Sequence, residues 1–379
     1  MTSPLRETNL TPSLTSEFAN QDEVFARGFA ILQQGVANRA FPCASVAVTH
    51  GGKLLALKAI GRLTYDADAL VARPDTIFDL ASLTKVMATT SMAVLLYQRG
   101  LLDIEMPVVG IVPDFAEDSS GATDLRRGEV TLRMLLAHSS GLPAHLKLYE
   151  QASTREKITR LATKTALTND PGTHVEYSDI GFIVLGEALM RLADERLDAF
   201  CQREVFGPLG LAHTGFNPLP EQRGSIPPTL NDQGFRPRVI QGEVNDDNAG
   251  AMGGIAPHAG LFAPAEDIAL FAQATLDGGS PVFRQESLAI FTRRELLPAE
   301  TMRTLGWDTP SETSLAGKYF SPGSFGHLGF TGTSLWIDPE RQISITLLTN
   351  RTWPDGQNIG IRQVRPEFHD AVMENLIHL

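Results

Sequence analysis

Hydrophobic positions recur with a helical period near the start of the chain. The stretch EFANQDEVFARGFAILQQGVANR contains the apolar residues Phe18, Val24, Phe25, Phe29 and Leu32. Phe25, Phe29 and Leu32 follow one another at intervals of about one helical turn. This spacing gathers them on one face and predicts an amphipathic helix.

The next segment changes to a strand pattern. CASVAVTHGGKLLALKAIGRL contains two apolar, β-rich runs separated by Gly51 and Gly52, and this arrangement predicts a hairpin. A strongly apolar segment follows Ser82 and ends near Gly100, which predicts a buried helix.

The middle of the chain has mainly helical patterns, and strand patterns return in its last quarter. Residues 105–214 are rich in helical patterns broken by glycine and proline, and residues 215–260 form a long irregular stretch. The last quarter contains a short amphipathic helix, EDIALFAQATLDGG, two strands, GTSLWIDP and RQISITLLTN, and a closing helix, PEFHDAVMENLIHL.

Strands are therefore predicted toward both chain ends, and helices in the middle. We predict an α/β (α+β) fold in which helices flank one antiparallel sheet built from both ends, with a mostly helical inserted domain. The predicted boundaries are 18–105 and 215–379 for the sheet domain, 106–214 for the helical domain and 1–17 for a loose N-terminal arm. The active site is expected in the crevice between the two domains.

The composition narrows the class of partner. The chain is 42% hydrophobic and 20% charged, as in ordinary globular proteins. Its formal net charge of −12, with no basic run, argues against nucleic acids and anionic membranes as partners. The N-terminus lacks the apolar core of a signal peptide, and no run of about 18 apolar residues occurs. We predict a cytoplasmic protein, with Cys43 and Cys201 as buried free thiols.

Ser82 and Lys85 form a Ser-x-x-Lys pair at the start of the predicted apolar helix. Residues three apart share one face of a helix, so the Lys85 amine can reach the Ser82 hydroxyl. A serine hydroxyl is a weak nucleophile that needs a base within hydrogen-bond distance. Backbone N–H groups at a helix N-terminus also attract negative charge. The same short motif arises by chance or as a helix cap, so the pair alone leaves both interpretations open.

Tyr177 precedes another predicted helix, in the stretch HVEYSDIGFIVLGEALM. One interpretation is structural: Ser178 or Asp179 caps the helix, and Tyr177 packs against its first turn. The other is catalytic: the Lys85 ammonium lowers the pKa of the Tyr177 phenol, which is normally about 10. The resulting phenolate would take the serine's proton and return it to the leaving group.

The stretch GHLGFTGTSLWID carries Gly326, Gly329 and Gly332, which allow a strand to pass close to a ligand. It is either a glycine-rich edge strand or a substrate-facing strand whose backbone N–H donates to an oxyanion. Both interpretations fit the residues.

Other chemistry-bearing residues receive structural interpretations. His138, His213 and His258 lie in predicted loops, and Asp246 and Asp247 are typical turn formers or loop anchors. The sequence has no His-Glu-x-x-His motif and no carboxylate cluster typical of a metal site. It also lacks the Gly-x-Ser-x-Gly elbow of the α/β-hydrolases. We predict no metal and no cofactor.

The order of these motifs resembles one enzyme family. Ser-x-x-Lys, a Tyr-Ser pair and a His-x-Gly strand follow one another as in the serine β-lactamase-like family, which includes class C β-lactamases, DD-peptidases and family VIII carboxylesterases. The resemblance extends from about residue 20 to 379 and includes the segments LLAHSSGLP, GPLGLAHTGF, HAGLF and LLTNRTWP. It implies a β-lactamase/transpeptidase-like fold and hydrolysis through an acyl-enzyme.

The resemblance also implies catalytic roles. Ser82 is the expected nucleophile, Lys85 its base or relay, and Tyr177 the second base. The expected oxyanion hole consists of the backbone N–H groups of Ser82 and Phe330. Which of Lys85 and Tyr177 is the main base stays open.

Two departures from the family pattern concern substrate binding. Asp179 replaces the asparagine of Tyr-Ser-Asn, so an amide donor becomes a carboxylate. His327, Leu328 and Gly329 replace Lys-Thr-Gly, so a permanent cation becomes a histidine that is mostly neutral at pH 7. We predict that Asp179, His327 and Gly329 bind substrate. Both changes favour an uncharged ester or amide over a substrate that carries a carboxylate.

Three functions are compatible with the sequence. The favoured one is a carboxylesterase acting on small uncharged esters, because of the His-Leu-Gly strand and the absence of a signal peptide. The second is a β-lactamase or a D-amino-acid or DD-peptidase acting on cell-wall fragments. The third is a catalytically silent binding protein on the same scaffold, against which the intact catalytic motifs argue. The predicted partner is a small-molecule ester, lactam or amide, and the sequence does not indicate an oligomeric state.

Overall fold

The structure is a computed structural model, and the residues it describes are 13–299, 301–311 and 314–377. The strands are β1 (Thr15–Ser16), β2 (Cys43–His50), β3 (Lys53–Gly61), β4 (Phe78–Asp79), β5 (Gly215–Phe216), β6 (Leu230–Asn231), β7 (Val239–Ile240), β8 (Leu261–Ala263), β9 (Phe325–Leu328), β10 (Ser334–Asp338) and β11 (Ile343–Thr349). The α-helices are α1 (Gln21–Val24), α2 (Ala26–Ala37), α3 (Ser91–Gln98), α4 (Leu132–Leu136), α5 (Arg155–Thr163), α6 (Asp179–Ala193), α7 (Leu197–Cys201), α8 (Asp247–Ala251), α9 (Ala265–Leu276), α10 (Gln285–Thr292) and α11 (Ile361–Leu376).

Within the described residues, the main sheet has six strands in the order β1-β3-β2-β11-β10-β9. β1 runs parallel to β3, and every other neighbouring pair is antiparallel. At the centre of the sheet, β2 from the start of the chain pairs with β11 from its end. The predicted fold class, a sheet built from both chain ends and flanked by helices, is confirmed.

The central strand β2 is apolar along nearly its whole length because both faces of the sheet are covered. Helices α2 and α11 pack together on one face, where Val46 and Val48 join the apolar core. Helix α9 packs on β2 and β11 from the other face, where Ala47 joins a second core. The β2–β3 turn uses Gly51 and Gly52, whose φ angles of +56° and +79° lie in the left-handed region that glycine tolerates.

Residues 106–214, all of which are described, contain helices α4 to α7 and short 3-10 turns, and they contribute no strand. Helix α6 packs against α4 and α5. Phe182 of α6 belongs to the same continuous core as Ala47 of the sheet. The division into the predicted sheet and helical domains stays a prediction.

Part of the predicted loose arm is ordered. Residues 1–12 lie outside the described residues, whereas Thr15 and Ser16 form β1 and pair with Lys53 and Leu54 of β3. An edge strand presents unpaired backbone N–H and C=O groups, and this segment of the chain satisfies some of those of β3.

Two smaller predictions concern the thiols and membranes. Cys43 and Cys201 are buried and unpaired, as predicted, and burial raises the pKa of both thiols. None of the helices in the described ranges has the length and apolarity that crossing a bilayer requires. The cytoplasmic location stays a prediction.

Candidate active site

Ser82 lies in a constrained turn between β4 and a helix. The helix begins as a π-helical segment, Lys85–Thr90, and continues as α3. Ala81 has a φ of +46°, which is uncommon for a residue with a Cβ, and its N–H donates to Asp79 Oδ1 at 2.8 Å. Burial raises the pKa of Asp79 to about 6. Strained backbone of this kind persists only where neighbouring contacts hold it, and here it leaves Ser82 partly exposed.

Lys85 is completely buried, and its amine has three hydrogen-bond partners. The Nζ atom donates to Ser82 Oγ at 3.2 Å, to Asp179 Oδ1 at 2.6 Å and to the carbonyl oxygen of His258 at 3.2 Å. Ser82 and Asp179, which belong to two different sequence motifs, therefore both contact the amine of Lys85.

The ion pair between Lys85 and Asp179 determines the charge of both groups. Burial alone would lower the pKa of Lys85, but the Asp179 carboxylate and the Tyr177 phenol outweigh it, so the pKa is raised. Burial would raise the pKa of Asp179, but Lys85, His145 and His258 hold it well below its usual range. The resting site therefore contains an ammonium and a carboxylate.

The Tyr177 hydroxyl is buried and makes no hydrogen bond to the described residues, although the Lys85 amine lies 4.8 Å from the ring centroid. Burial raises the pKa of Tyr177, and the positive charge of Lys85 offsets only part of this effect. The hypothesis that Lys85 brings the Tyr177 pKa below its usual value is therefore wrong. Desolvation dominates, and Tyr177 rests as a neutral phenol.

The segment around Tyr177 also has the structural role considered from the sequence. Ser178 caps α6 by accepting a hydrogen bond from the N–H of Gly181 at 2.9 Å. Buried His138 accepts the Ser178 N–H at its Nδ1 atom, 3.0 Å away, and packs between Tyr177 and Phe182 at ring-centroid distances of 4.6 and 5.0 Å. The sequence predicts a structural role for His138, and in the structure its ring packs against that of Tyr177.

Two threonines tie the Ser82 turn to the glycine-rich segment after β9. Thr331 Oγ1 donates to the carbonyl of Asp79 at 2.8 Å, and Thr333 Oγ1 donates to that of Leu80 at 2.9 Å. A Cβ at Gly329 would lie 1.9 Å from Thr333 Oγ1 and 2.6 Å from the Leu80 oxygen. Only glycine fits this close approach, which brings the end of β9 beside the nucleophile's turn.

His327 is buried and neutral. Its Nδ1 atom lies 2.8 Å from the carbonyl oxygen of Leu328, which can only accept, so Nδ1 carries the proton. The Nε2 atom is buried and has no hydrogen-bond partner among the described residues. Burial, together with the positive charges of Lys85 and Arg303, lowers the pKa of His327 to about 3.

Two adjoining cavities meet at Ser82, and they share five lining residues: Ser82, Tyr177, Phe330, Gly356 and Gln357. One has a volume of about 540 Å³, and we call it the acidic half because of the carboxylates that line it: Asp179, Asp246, Asp247 and Asp355. The other has a volume of about 660 Å³, and we call it the basic half because of its guanidinium groups: Arg303, Arg351, Arg362 and Arg365. The two proposed oxyanion-hole residues thus lie at the junction of the two halves.

The sequence analysis did not identify Arg303. Its guanidinium carbon lies 5.3 Å from the Tyr177 ring centroid, and its pairing with Asp308 is loose, at 3.9 Å. Arg303 comes from the irregular segment between α10 and β9, where no periodicity or motif indicates which way a side chain points. It places a permanent cation beside His327, where the sequence predicts none.

His145, also absent from the sequence-based candidates, joins two aspartates in the acidic half. Its Nδ1 atom lies 3.5 Å from Asp179 Oδ2, and one ligand atom each from His145, Asp179 and Asp246 come within 4.8 Å of one another. These donor types suit a divalent cation. Lys85 and His258, however, each already bind one oxygen of these carboxylates. The predicted absence of a metal stays a prediction.

Asp246 also has the anchoring role predicted from the sequence. It caps α8 by accepting the N–H of Ala249 at 2.7 Å, and it contacts Nε2 of buried His258 at 2.9 Å. The carbonyl of His258 in turn accepts a hydrogen bond from Lys85, so Asp246 is connected through His258 to the Lys85 amine.

Comparison with known proteins identifies the family. The family model described as Beta-lactamase matches residues 29–365. The chain belongs to the beta-lactamase family. An N-acetylmuramyl-L-alanine amidase of Bacillus subtilis (strain 168) is 34% identical over 350 residues, which cover 82% of this chain and 77% of that protein. A Salmonella agona (strain SL483) protein provisionally named a D-alanyl-D-alanine carboxypeptidase is 32% identical over 357 residues, covering 84% of this chain and 81% of that protein.

Among solved structures, EstCE1, a hydrolase with promiscuous acyltransferase activity, superposes with a TM-score of 0.74. The match covers 94% of this chain and all of that chain at 21% identity, so it supports the fold alone. The family resemblance inferred from the motifs is confirmed, and the protein is a serine hydrolase of the beta-lactamase family. The similar proteins are named as an amidase, as carboxypeptidases and as a hydrolase with promiscuous acyltransferase activity, so family membership does not single out the carboxylesterase.

Proposed function

We propose that the protein is a serine amidase that hydrolyses amide bonds in peptidoglycan fragments through an acyl-enzyme on Ser82. The observation that carries this proposal is Arg303, a permanent cation next to Tyr177 at the nucleophile. The preference for uncharged esters depended on the absence of such a cation. With Arg303 in the cleft, a carboxylate on the substrate can be bound by a charge-assisted hydrogen bond.

The name of the Bacillus subtilis relative supports a specific bond, the amide between the acyl carbonyl of a muramic acid and L-alanine. In such a substrate the alanine carboxylate is one carbon away from the scissile nitrogen. A cation beside the group that protonates this nitrogen is well placed to bind it. Arg303 lies over Tyr177 and meets this requirement.

In acylation, Ser82 Oγ attacks the carbonyl carbon, and the oxyanion rests on the N–H groups of Ser82 and Phe330. Each such donor contributes on the order of 3 kcal/mol to transition-state stabilisation. Lys85 is protonated at rest, so the reactive form of the enzyme is the one that has lost this proton, and its neutral amine accepts the serine proton. The Tyr177 phenol donates its proton to the departing nitrogen, and the proton held by Lys85 and Asp179 restores the phenol.

In deacylation, water attacks the ester carbonyl of the acyl-enzyme. The water proton passes to the group formed by Tyr177, Lys85 and Asp179, and this group returns a proton to Ser82 Oγ as the acid leaves. The enzyme is thereby restored, and the net reaction adds one water across the amide bond. Asp179 thus acts on Lys85 in this mechanism, in addition to lining the acidic half.

The test is hydrolysis of N-acetylmuramyl-L-alanine, p-nitrophenyl butyrate and nitrocefin by one preparation, with L-alanine release quantified by amine derivatisation. We expect efficient L-alanine release that disappears in Ser82→Ala. Turnover of the ester alone contradicts the amidase and supports the carboxylesterase. Preferred turnover of nitrocefin supports the β-lactamase or peptidase. The silent scaffold is supported if nothing turns over and a fluorophosphonate fails to label Ser82.

The carboxylesterase remains the second candidate because of one observation on β9. His327 is neutral and Leu328 is aliphatic, so this strand presents no charged or hydroxyl side chain to a carboxylate. An uncharged ester fits that part of the cleft. The two candidates differ in whether catalysis depends on Arg303.

A further inference from the structure

The basic half of the cleft carries more positive charge than one carboxylate requires. The whole chain has a formal net charge of −12, yet the charged residues that line this cavity are four arginines and one aspartate, Asp308. Among the described residues, Asp308 pairs only loosely with Arg303, at 3.9 Å. A local excess of this sign in an acidic protein attracts anions into the cavity.

Arg365 is the most buried of these cations, with 3% of its surface exposed. Its guanidinium donates to the carbonyl of Thr333 at 3.2 Å, and its buried Nε atom has no hydrogen-bond partner among the described residues. Burial and the neighbouring charge of Arg351 lower its pKa to about 9, so it is still a cation at neutral pH. A buried charge without a counter-ion is costly to the fold, and an anion in the cavity would remove much of that cost.

Arg351 is 9% exposed and is held by backbone carbonyls. Its Nε donates to Phe330 at 2.6 Å, and its Nη1 donates to Gly356 at 3.1 Å and to Asn358 at 2.8 Å. These partners orient the guanidinium without neutralising it. The Phe330 carbonyl is one of these partners, so a hydrogen bond connects Arg351 to the residue at the junction of the two halves.

Arg362 stands at the exposed entrance of the same cavity. It precedes Arg365 by three residues on α11, so the two side chains share one face of the helix. Arg351, Arg362 and Arg365 therefore supply positive charge from the junction, the entrance and the buried wall of the basic half.

We propose that Arg351, Arg362 and Arg365 form a second anion subsite, separate from Arg303, that binds a further carboxylate on the leaving group. This inference depends on the proposed amidase function, in which the peptide released with the scissile nitrogen occupies the basic half. The preferred substrates are N-acyl peptides whose leaving portion carries two or more carboxylates, such as acyl-L-alanyl-D-glutamate. In that compound the alanine carboxyl is a peptide carbonyl that accepts a hydrogen bond from Arg303, and the glutamate carboxylates occupy the second subsite.

The first test compares two amides that differ by one charge. N-acetylmuramyl-L-alanyl-D-glutamate has two carboxylates, and the D-isoglutamine compound has one. We expect kcat/KM to be about tenfold or more higher for the diacid, the size of a charge-assisted hydrogen bond. Arg362→Gln, whose side chain is exposed, is expected to reduce this ratio severalfold. The control Arg73→Gln, at a side chain with 75% exposure, is expected to leave the ratio unchanged.

A second measurement tests the subsite without requiring amide hydrolysis. We expect free L-alanyl-D-glutamate to bind at this subsite and to raise the melting temperature of the protein more than L-alanyl-D-isoglutamine does. Arg362→Gln and Arg365→Lys should each remove the difference, and Arg73→Gln should retain it. If Arg365→Lys fails to fold, Arg362→Gln decides the matter.

The outcomes separate the two proposals. If neither amide is cleaved but the diacid still gives the larger thermal shift through Arg362, the amidase function is wrong and the anion subsite stands. If the amides are cleaved at equal rates and the two dipeptides give equal shifts, the subsite is wrong and the amidase stands. A ratio that is unchanged in Arg362→Gln also contradicts the subsite.

Discussion

The two halves of the cleft differ in how their buried charges are balanced. In the acidic half, Lys85 is paired with Asp179, and Asp246 is paired with His258. In the basic half, Arg351 and Arg365 contact backbone carbonyls and no carboxylate among the described residues. Both halves contain fully or nearly fully buried cations, but only the first contains their counter-ions.

Under the proposed function, this difference assigns proton transfer to the acidic half and substrate binding to the basic half. A buried ion pair held at 2.6 Å is preorganised, so it can handle a proton without first rearranging its surroundings. Burial of an unpaired guanidinium group costs desolvation free energy, and a bound anion offsets that cost. The comparison predicts that changes in the acidic half alter the chemical step and stability, whereas changes in the basic half alter substrate preference.

The largest expected effect is at the junction of the halves. Ser82→Ala is expected to lower kcat/KM on every accepted substrate by about 10³-fold or more, because the acyl-enzyme cannot form. Fluorophosphonate labelling followed by mass spectrometry should also be lost. Ser91→Ala, on the helix that follows Ser82, is the matched control, since the Ser91 hydroxyl donates to a helix carbonyl, that of Val86. Retained activity in Ser82→Ala would refute the nucleophile assignment.

The next largest effect is expected in stability. Asp179→Ala leaves the Lys85 ammonium buried without its counter-ion and should cost about 3 kcal/mol of unfolding free energy, measured by urea denaturation. Adding Lys85→Met removes the orphaned charge and should restore most of that stability. If the single variant is as stable as the native protein, the paired state of the acidic half is misassigned.

Arg303→Gln tests the basic half where it meets the nucleophile. Loss of one charge-assisted hydrogen bond should lower kcat/KM for N-acetylmuramyl-L-alanine by about tenfold to a hundredfold, mainly through KM. Hydrolysis of p-nitrophenyl butyrate should change little, because that ester carries no carboxylate. Equal losses on both substrates would contradict the role of Arg303 in carboxylate binding.

The smallest expected effect is a change in pH dependence. The rate requires loss of a proton from the group formed by Lys85 and Tyr177, so kcat/KM rises with pH through the apparent pKa of that group. Asp179 raises the pKa of Lys85, and Asp179→Asn removes this charge. The rise should therefore move to lower pH, whatever the height of the plateau. A rise that stays in place or moves to higher pH would show that Asp179 does not set the proton affinity of Lys85.

The sequence identifies the parts of the site that depend on local spacing. The i, i+3 relation predicts contact between Lys85 and Ser82, and the apolar, β-rich runs predict the strands. The family resemblance adds Tyr177, because no local pattern could bring residue 177 to residue 82. These predictions succeed where one turn of helix or one strand fixes the geometry.

The remaining features depend on tertiary structure. Arg303 and His145 come from irregular segments, where side-chain direction is set by contacts with distant elements. The raised pKa of Tyr177 follows from burial, which the sequence does not reveal. The prediction that the loss of the Lys-Thr-Gly cation favours uncharged substrates considered one motif only, whereas Arg303 brings a cation from another part of the chain.

The pairing of β2 with β11 has a consequence for biogenesis. Thr49 and Ser344 touch across the sheet although 295 positions separate them. On the ribosome, β2 can pair at once with β3, but its other partner, β11, emerges only after nearly 300 further residues, and contacts this distant in sequence form slowly. The nascent chain is thus exposed to aggregation during most of its translation, and chaperones that shield its first strands should strongly affect its yield.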